Sequence, residues 1–328
     1  MEDFEKLFRE IENIKVAIVG DVMLDTYWWG KVDRISPEAP VPVVVLSKKD
    51  YRLGGAGNVA LNTVSLNAKT TLFSVIGDDK DAELLTALLQ QQHIETKYLI
   101  KSKDRITTNK TRIISRNQQM MRLDAEITHD ISKHDEELLL QNLVSFIKSD
   151  WPQIVIFEDY NKGVLTESFI QNAIAICREN GIITAIDPKR KNFFSYKQAD
   201  IFKPNLKEVK DGLNILLDDV TETSLNNIHQ QLHTILQHKI SLITLSEHGL
   251  FMQDENTSKI IPSHIRNITD VSGAGDTVIA VASLVYAATK DISLAASVAN
   301  LAGGLVCEEV GTVAIDASKL LQECKGAL

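Results

Sequence analysis

Short, uniformly apolar runs alternate along the chain with longer stretches whose apolar positions recur every three or four residues. KVAIVGD (Lys15–Asp21), TTLFSVIG (Thr70–Gly77), IVIFED (Ile154–Asp159), ITAID (Ile183–Asp187) and SLITLS (Ser241–Ser246) read as buried strands. Between them Asp79–Gln92, His134–Lys148 and Thr166–Asn180 carry helical patterns. This alternation predicts parallel strands joined by crossover helices, an α/β fold with a doubly wound sheet flanked by helices. Four of the runs end in Asp or Ser. Ligands in open α/β sheets bind beyond the carboxyl ends of the strands, so these polar ends are expected near a site.

Two stretches depart from that rhythm. Val41–Leu46 is a strand-like run among Pro37, Pro40 and Pro42, and Lys97–Leu123 holds strand-like pieces with no helix between them. Successive β segments without crossovers predict a small antiparallel β-sheet, with lid strands from about residues 22–50 and 97–123. A lid would shed water from a site that needs to be dry. No repeat, low-complexity tract or Gly/Ser/Pro linker interrupts the chain, so one domain over residues 1–328 is the simpler organisation.

Composition narrows the function. A net charge of −9 with no Lys/Arg block argues against nucleic acid or an anionic membrane as partner. The acidic N-terminal stretch is not a signal peptide, and the apolar run Val278–Ala288 falls short of the ~20 residues that span a bilayer. Cys177, Cys307 and Cys324 lack C-x-x-C spacing and read as reduced thiols. A soluble, cytoplasmic protein is expected. The eight histidines form no obvious ligand cluster and read mostly as surface residues.

Four motifs carry chemistry. In Asp270-Val-Ser-Gly-Ala-Gly-Asp276, a glycine turn leads into an apolar helix, so its N–H groups and the helix dipole make an anion site. Asp276 beside that hole suits phosphoryl transfer, accepting the proton of an attacking hydroxyl, or else it is a helix N-cap. Gly54-Gly-Ala-Gly-Asn58 formally contains Gly55-x-Gly57-x-x-Ala60, the dinucleotide fingerprint, but the polar run SKKDYR separates it from Val41–Leu46. It suits sugar hydroxyls better, with Asn58 contributing its amide unless that amide serves only the local backbone. Asp21 and Asp25, past the first strand, could chelate vicinal hydroxyls or cap turns. Asn205 and Glu208 share one face of a helical turn and could place phosphates and hydrated Mg²⁺, or simply start a helix. No G-x-x-x-x-G-K-[ST], H-R-D/D-F-G or H-E-x-x-H motif is present.

In this order, the four motifs resemble those of the PfkB/ribokinase carbohydrate kinases, from about Lys15 onward. The resemblance implies a ribokinase-like fold and ATP with Mg²⁺. It makes Asp276 the catalytic base, with Gly273, Ala274 and Gly275 forming the anion hole. Asp25, Gly54, Gly55 and Asn58 would hold the sugar. Asn205 and Glu208 would organise Mg²⁺ (Glu208 through water) and phosphates, while Ser246, Gly249 and Asn300 would line the ATP pocket. Asp270 and Ser272 would lie near a monovalent-cation (K⁺) site found in many members. Val-Ser after Asp270, where Thr is frequent, leaves that site open.

A closer resemblance lies in DVMLDTYWWGKVDRISPEAPVPVV, LGGAGNVALN, SRNQQMMRLD and DYNKG, which look like the kinase module of the D-glycero-β-D-manno-heptose-7-phosphate kinases. It implies heptose 1,7-bisphosphate as product, on the path to ADP-heptose for lipopolysaccharide cores. Many such kinases are fused to a nucleotidyltransferase with an H-x-G-H motif. None occurs here, so a separate adenylyltransferase is expected. A phosphorylated sugar needs cations away from Asp276, and Lys162, Arg112, Arg116 and Arg122 are candidates, each weighed against a solvated surface charge. A homodimer through the lid strands would cover their edges. The competing readings are a PfkB kinase for another sugar (fructokinase or ribokinase type), a silent sugar sensor, and a dinucleotide-dependent oxidoreductase.

Overall fold

The computed structural model describes residues 3–328 apart from 117, 218 and 265. Its first seven strands are β1 (Lys15–Gly20), β2 (Val22–Ile35), β3 (Pro42–Gly55), β4 (Lys69–Gly77), β5 (Glu95–Ser102), β6 (Asn109–Ser115) and β7 (Gln118–Ala125). The others are β8 (Ile154–Glu158), β9 (Ile183–Asp187), β10 (Ile201–Phe202), β11 (Ile240–Thr244), β12 (Leu250–Gln253) and β13 (Ser258–Ile261).

Nine strands form the main sheet in the order β13-β12-β11-β10-β9-β8-β1-β4-β5. From β11 to β5 neighbours run parallel, and β12 and β13 add an antiparallel edge. Both faces are covered. Val16 and Ile18 of β1 pack with the helices Ala56–Ser65, Ala274–Thr289 and Ile292–Val306, while Ala17 and Val19 pack with Lys133–Asp150 and Glu167–Glu179. Burial on two faces is why these strands are mostly apolar, with only small hydroxyl side chains such as Ser74 and Thr184 inside them. The predicted helices begin where their side chains cap them: Asp79, Ser132 and Thr166 each accept a backbone N–H two or three residues into the first turn.

The register decides the site. Gly20 of β1 lies opposite Glu158 of β8, and Glu158 opposite Asp187 of β9, so three strand ends finish in one row.

The second sheet has the order β3-β2-β6-β7. It corrects the sequence reading in three ways. It is mixed rather than antiparallel, because β2 and β6 run parallel. β5, inside the segment assigned to the lid, is the edge of the main sheet. β3 runs through SKKDYR to Gly55, so the glycine turn does follow directly on a strand. That strand pairs antiparallel with β2 in the second sheet, which is not the strand–helix–strand unit of a dinucleotide fold. The polar residues of β3 escaped the apolar-run criterion because much of this sheet is exposed and has no core to pack. Asn117, within SRNQQMMRLD, lies outside the described residues.

Six of the eight histidines are exposed, as the sequence reading expects, and two are buried. His229, His233 and His238 gather with ring centroids 5.4–5.9 Å apart. The first and last are buried and share the Ser241 hydroxyl, at 2.9 and 2.6 Å. All three cysteines are free and buried. Among the described residues, no helix is long and apolar enough to cross a membrane.

Candidate active site

Asp276 stands at the third position of the helix Ala274–Thr289, one turn inside its start. The N-cap is Gly273, in the left-handed region at φ 81°, and no side chain caps this end. Asp276 is therefore not a cap. Its carboxylate turns away from its own helix, accepting Asn58 Nδ2 at 2.7 Å and the Tyr160 hydroxyl at 2.8 Å. Gly273 is required twice over: by its positive φ, and because a Cβ there would lie 2.7 Å from Asn58 Nδ2. Burial pushes the Asp276 carboxyl up to about 6, with the Asn58 hydrogen bond opposing the push and Asp187 adding to it. A buried carboxyl near 6 is poised to take a proton at neutral pH.

The first-turn N–H groups of Gly275 and Asp276 have no partner inside the helix. The Ala274 N–H points to Val271 O at 3.3 Å. Beside the turn is a cation that sequence reasoning missed. Lys203 is 2% exposed, its ammonium is 2.8 Å from Asp187, and it would lie 3.6 Å from a Cβ placed on Gly275. Lys189 faces the same carboxylate at 3.6 Å. Tyr160, Asp187, Lys189 and Lys203 all follow or end strands, so the polar ends of the apolar runs were the available signal.

The third carboxyl of the row, Glu158, is fully buried. It brings an oxygen within 4.8 Å of oxygens of Asp187 and Asp276, and neither of its own oxygens has a hydrogen-bond partner among the described residues.

Asp21 is not a sugar ligand. It is 1% exposed, and its carboxylate accepts the N–H groups of Tyr160, Lys162 and Val164 at 2.8–3.1 Å, fixing the loop that presents Tyr160. Asp25, buried on β2, pairs with Arg112 of β6 at 2.5 Å. Gly54 allows this approach, since a Cβ there would sit 2.6 Å from Asp25 Oδ2. Gly55 then caps the helix that carries Asn58. Thus Asp25, Gly54, Gly55, Asn58 and Arg112 are brought to the base of the lid.

The remaining cations differ. Lys162 is largely buried and pairs with Glu126 at 2.9 Å, and Lys110 meets the other oxygen of Glu126 at 3.0 Å. Arg122 is half exposed and bound to Asp124, while Arg116 lies exposed in the β6–β7 turn, 3.9 Å from Asp33. These two are surface charges.

Asn205 and Glu208 make a reciprocal capping box, and Lys189 takes Glu208 Oε1 at 2.6 Å. Asp270 accepts the N–H groups of Ser272 and Gly311, both at 2.9 Å, and against the opposing effect of burial these hold its carboxyl below the ordinary range. Ser246, Gly249 and Asn300 converge on one turn. Asn300 donates to Pro262 O at 2.9 Å, and a Cβ on Gly249 would lie 2.8 Å from the Pro262 carbonyl carbon.

A buried carboxylate at a helix start with free N–H groups, beside a second sheet that carries polar side chains, is suited to moving a phosphoryl group onto a small polyol. Comparison with known proteins agrees. The pfkB family carbohydrate kinase model matches residues 13–319. Bifunctional protein HldE of Aliarcobacter butzleri is 42% identical over 299 residues, covering 90% of this chain and 61% of that protein. HldE of Sulfurimonas denitrificans is 38% identical, covering 93% and 63%. The chain thus spans less than two thirds of these relatives. Among solved structures, phosphofructokinase-2 from Escherichia coli in complex with potassium matches with TM-score 0.80 at 16% identity, over 95% of this chain and 99% of that one. Arabidopsis thaliana ribokinase complexed with ribose and ATP matches with TM-score 0.73 at 16% identity, over 94% and 99%. The chain belongs to the pfkB family of carbohydrate kinases, and the protein is a sugar kinase with a ribokinase-like fold.

Proposed function

We propose that the protein transfers the terminal phosphoryl group of ATP to the anomeric hydroxyl of D-glycero-β-D-manno-heptose 7-phosphate, giving heptose 1,7-bisphosphate. The observation that carries the chemistry is the Asp276 carboxylate, freed from capping and held by Asn58 and Tyr160. The sugar hydroxyl gives its proton to Asp276 as its oxygen bonds to phosphorus and the bond to ADP breaks. Lys203 and the amides of Gly275 and Asp276 face the charge that builds on the phosphoryl oxygens. An anomeric hydroxyl is more acidic than other alcohols, so a carboxylate suffices as base.

ATP would bind beside Ser246, Gly249 and Asn300. Mg²⁺, when bound with ATP, neutralises charge on its phosphates. Glu208 fits an outer position reached through water. Each of its oxygens already accepts one N–H bond, from Lys189 and from the Asn205 backbone, and a carboxylate offers about four lone-pair sites. A K⁺ ion near Asp270 and Ser272 would steady the turn that starts the helix.

The heptose assignment is supported by the likeness to the heptose-7-phosphate kinases and by the HldE relatives. The distal phosphate would be met by Lys162 once it exchanges Glu126 for the phosphate, with Arg112, which holds Asp25, as the second candidate cation. The test is ATP consumption with Mg²⁺ against heptose 7-phosphate, the nearest hexose and heptulose phosphates, fructose and ribose. Turnover confined to heptose 7-phosphate is expected. Preference for an unphosphorylated sugar would overturn the heptose reading and the distal pocket while leaving Asp276 in place.

A further inference from the structure

Ionised, Glu158 would be a buried charge with no donor on either oxygen and two other carboxyls within 4.8 Å. Like charges so close in a dry site do not all ionise. Asp187 has the ammonium groups of Lys203 and Lys189 at 2.8 and 3.6 Å, and Asp276 has two hydrogen bonds, so both carry their charge more easily than Glu158. The two lysines already answer Asp187, Asp276 and also Glu208, which takes Lys189 at 2.6 Å, so an ionised Glu158 would add a charge with no cation left to balance it.

We propose that Glu158 is a positioning residue held as a neutral carboxylic acid, its proton kept within the Glu158–Asp187–Asp276 cluster so that Asp276 is the carboxylate left to take the acceptor's proton. The inference rests on the reading of Asp276 as base and adds a role for a residue that no motif contains. Burial first, then Asp187 and Asp276, push the Glu158 carboxyl well above the ordinary carboxylate range, against Lys189 and Lys203. The other group that meets the cluster is Tyr160, itself held well above its ordinary value by burial and by Asp276. Losing the Glu158 proton at alkaline pH would set an unbalanced negative charge where the ATP phosphates arrive.

The test has two arms. Infrared difference spectra in neutral buffer, folded wild type minus Glu158→Gln, should show the C=O band of a protonated carboxylic acid. Asp159, raised to about 7 by burial and then by Asp21, contributes to both proteins and cancels. This readout does not depend on activity. A difference spectrum without that band overturns the proposal even if Asp276 is the base. In kinase assays across pH, the wild type should decline on the alkaline side. Glu158→Gln, compared with its own neutral value, should lose that decline while keeping the acid limb set by Asp276. An alkaline decline of unchanged midpoint in folded Glu158→Gln would overturn the proposal. Full activity of Asp276→Asn would instead overturn the base reading, leaving the infrared result to stand alone.

Discussion

Asp276→Asn separates what this carboxylate does for catalysis from what its burial does to stability. The substitution keeps the shape and removes the charge. Its amide oxygen can still accept from Tyr160, but its NH₂ would face the Asn58 NH₂. Asn58 can answer by turning over, since its own oxygen is buried without a hydrogen-bond partner among the described residues. Both hydrogen bonds survive.

A carboxyl held at about 6 instead of its ordinary 3.8 has its charged form disfavoured by about 3 kcal/mol. Because this value is raised, the folded state binds the proton more tightly than the unfolded chain. The resulting stability is full below about pH 4 and is lost as pH rises through about 6. The Asn variant escapes that loss. Up to about 3 kcal/mol of added stability is expected above pH 6, fading near pH 4. Activity moves the other way. A positioned general base is worth ~10²–10⁴-fold in kcat, about 3–5 kcal/mol of barrier. ADP release with saturating ATP and sugar, beside thermal melts at pH 4.5 and 8, reads both quantities. A folded variant within about tenfold of wild-type kcat would refute the assignment of the base.

Other outcomes can be checked in parallel. The wild-type kcat should fall as pH drops through about 6, when Asp276 takes up a proton, and a profile flat to pH 5 would be inconsistent with that role. Lys162→Ala should raise KM for the phosphosugar roughly tenfold or more and leave KM for ATP nearly unchanged, while equal shifts would place the distal phosphate elsewhere. Burial, assisted by His229 and His233, depresses His238 to about 3, so its neutral form is stabilising at neutral pH and that contribution is lost as pH falls below about 6.5. Between pH 7 and 5 chemical denaturation should record about 2 kcal/mol lost from this group, a slope that His238→Asn should reduce. Ile35, Val45, Met121 and Leu123 are exposed apolar residues on the lid strands, and sedimentation should find a dimer at micromolar concentration that charged replacements at Val45 and Met121 disperse.

The main sheet and Asp276 were legible in the sequence for the same reason. Strands covered on both faces must be apolar throughout, as β1 and β8 are, and the polar residue ending such a run stands out. The second sheet was legible only in outline. Trp28–Asp33 and Ser47–Arg52 are held by backbone pairing between long strands with little core beneath them, and that pairing leaves no periodic trace. Glu158, Lys189 and Lys203 were marked in the sequence only by their place at or just past strand ends. Each is an ordinary charged residue at a strand end, and only the parallel register brings them to Asp276. Sequence also could not tell that Asp21 and Asp25, four residues apart, face different tasks, one bound by three loop amides and the other by a lid arginine.

The division between the two sheets bears on how such an enzyme changes over time. The groups proposed to move the phosphoryl group stand at a helix start and at the ends of strands buried on both faces, where most replacements disturb packing, as at Gly20, whose absent Cβ would collide with the Glu158 carbonyl at 2.0 Å. Of the groups proposed to meet the sugar, Lys162 stands in the loop after β8, while Asp25 and Arg112 sit in the second sheet. That sheet is held mainly by backbone pairing, and its outer strands β3 and β7 show many side chains to solvent. Substitutions accumulate there with little penalty to folding. A lineage can therefore drift toward a new acceptor by altering the lid while its transfer chemistry is inherited unchanged, and acceptor choice should diverge faster among descendants than the residues around Asp276.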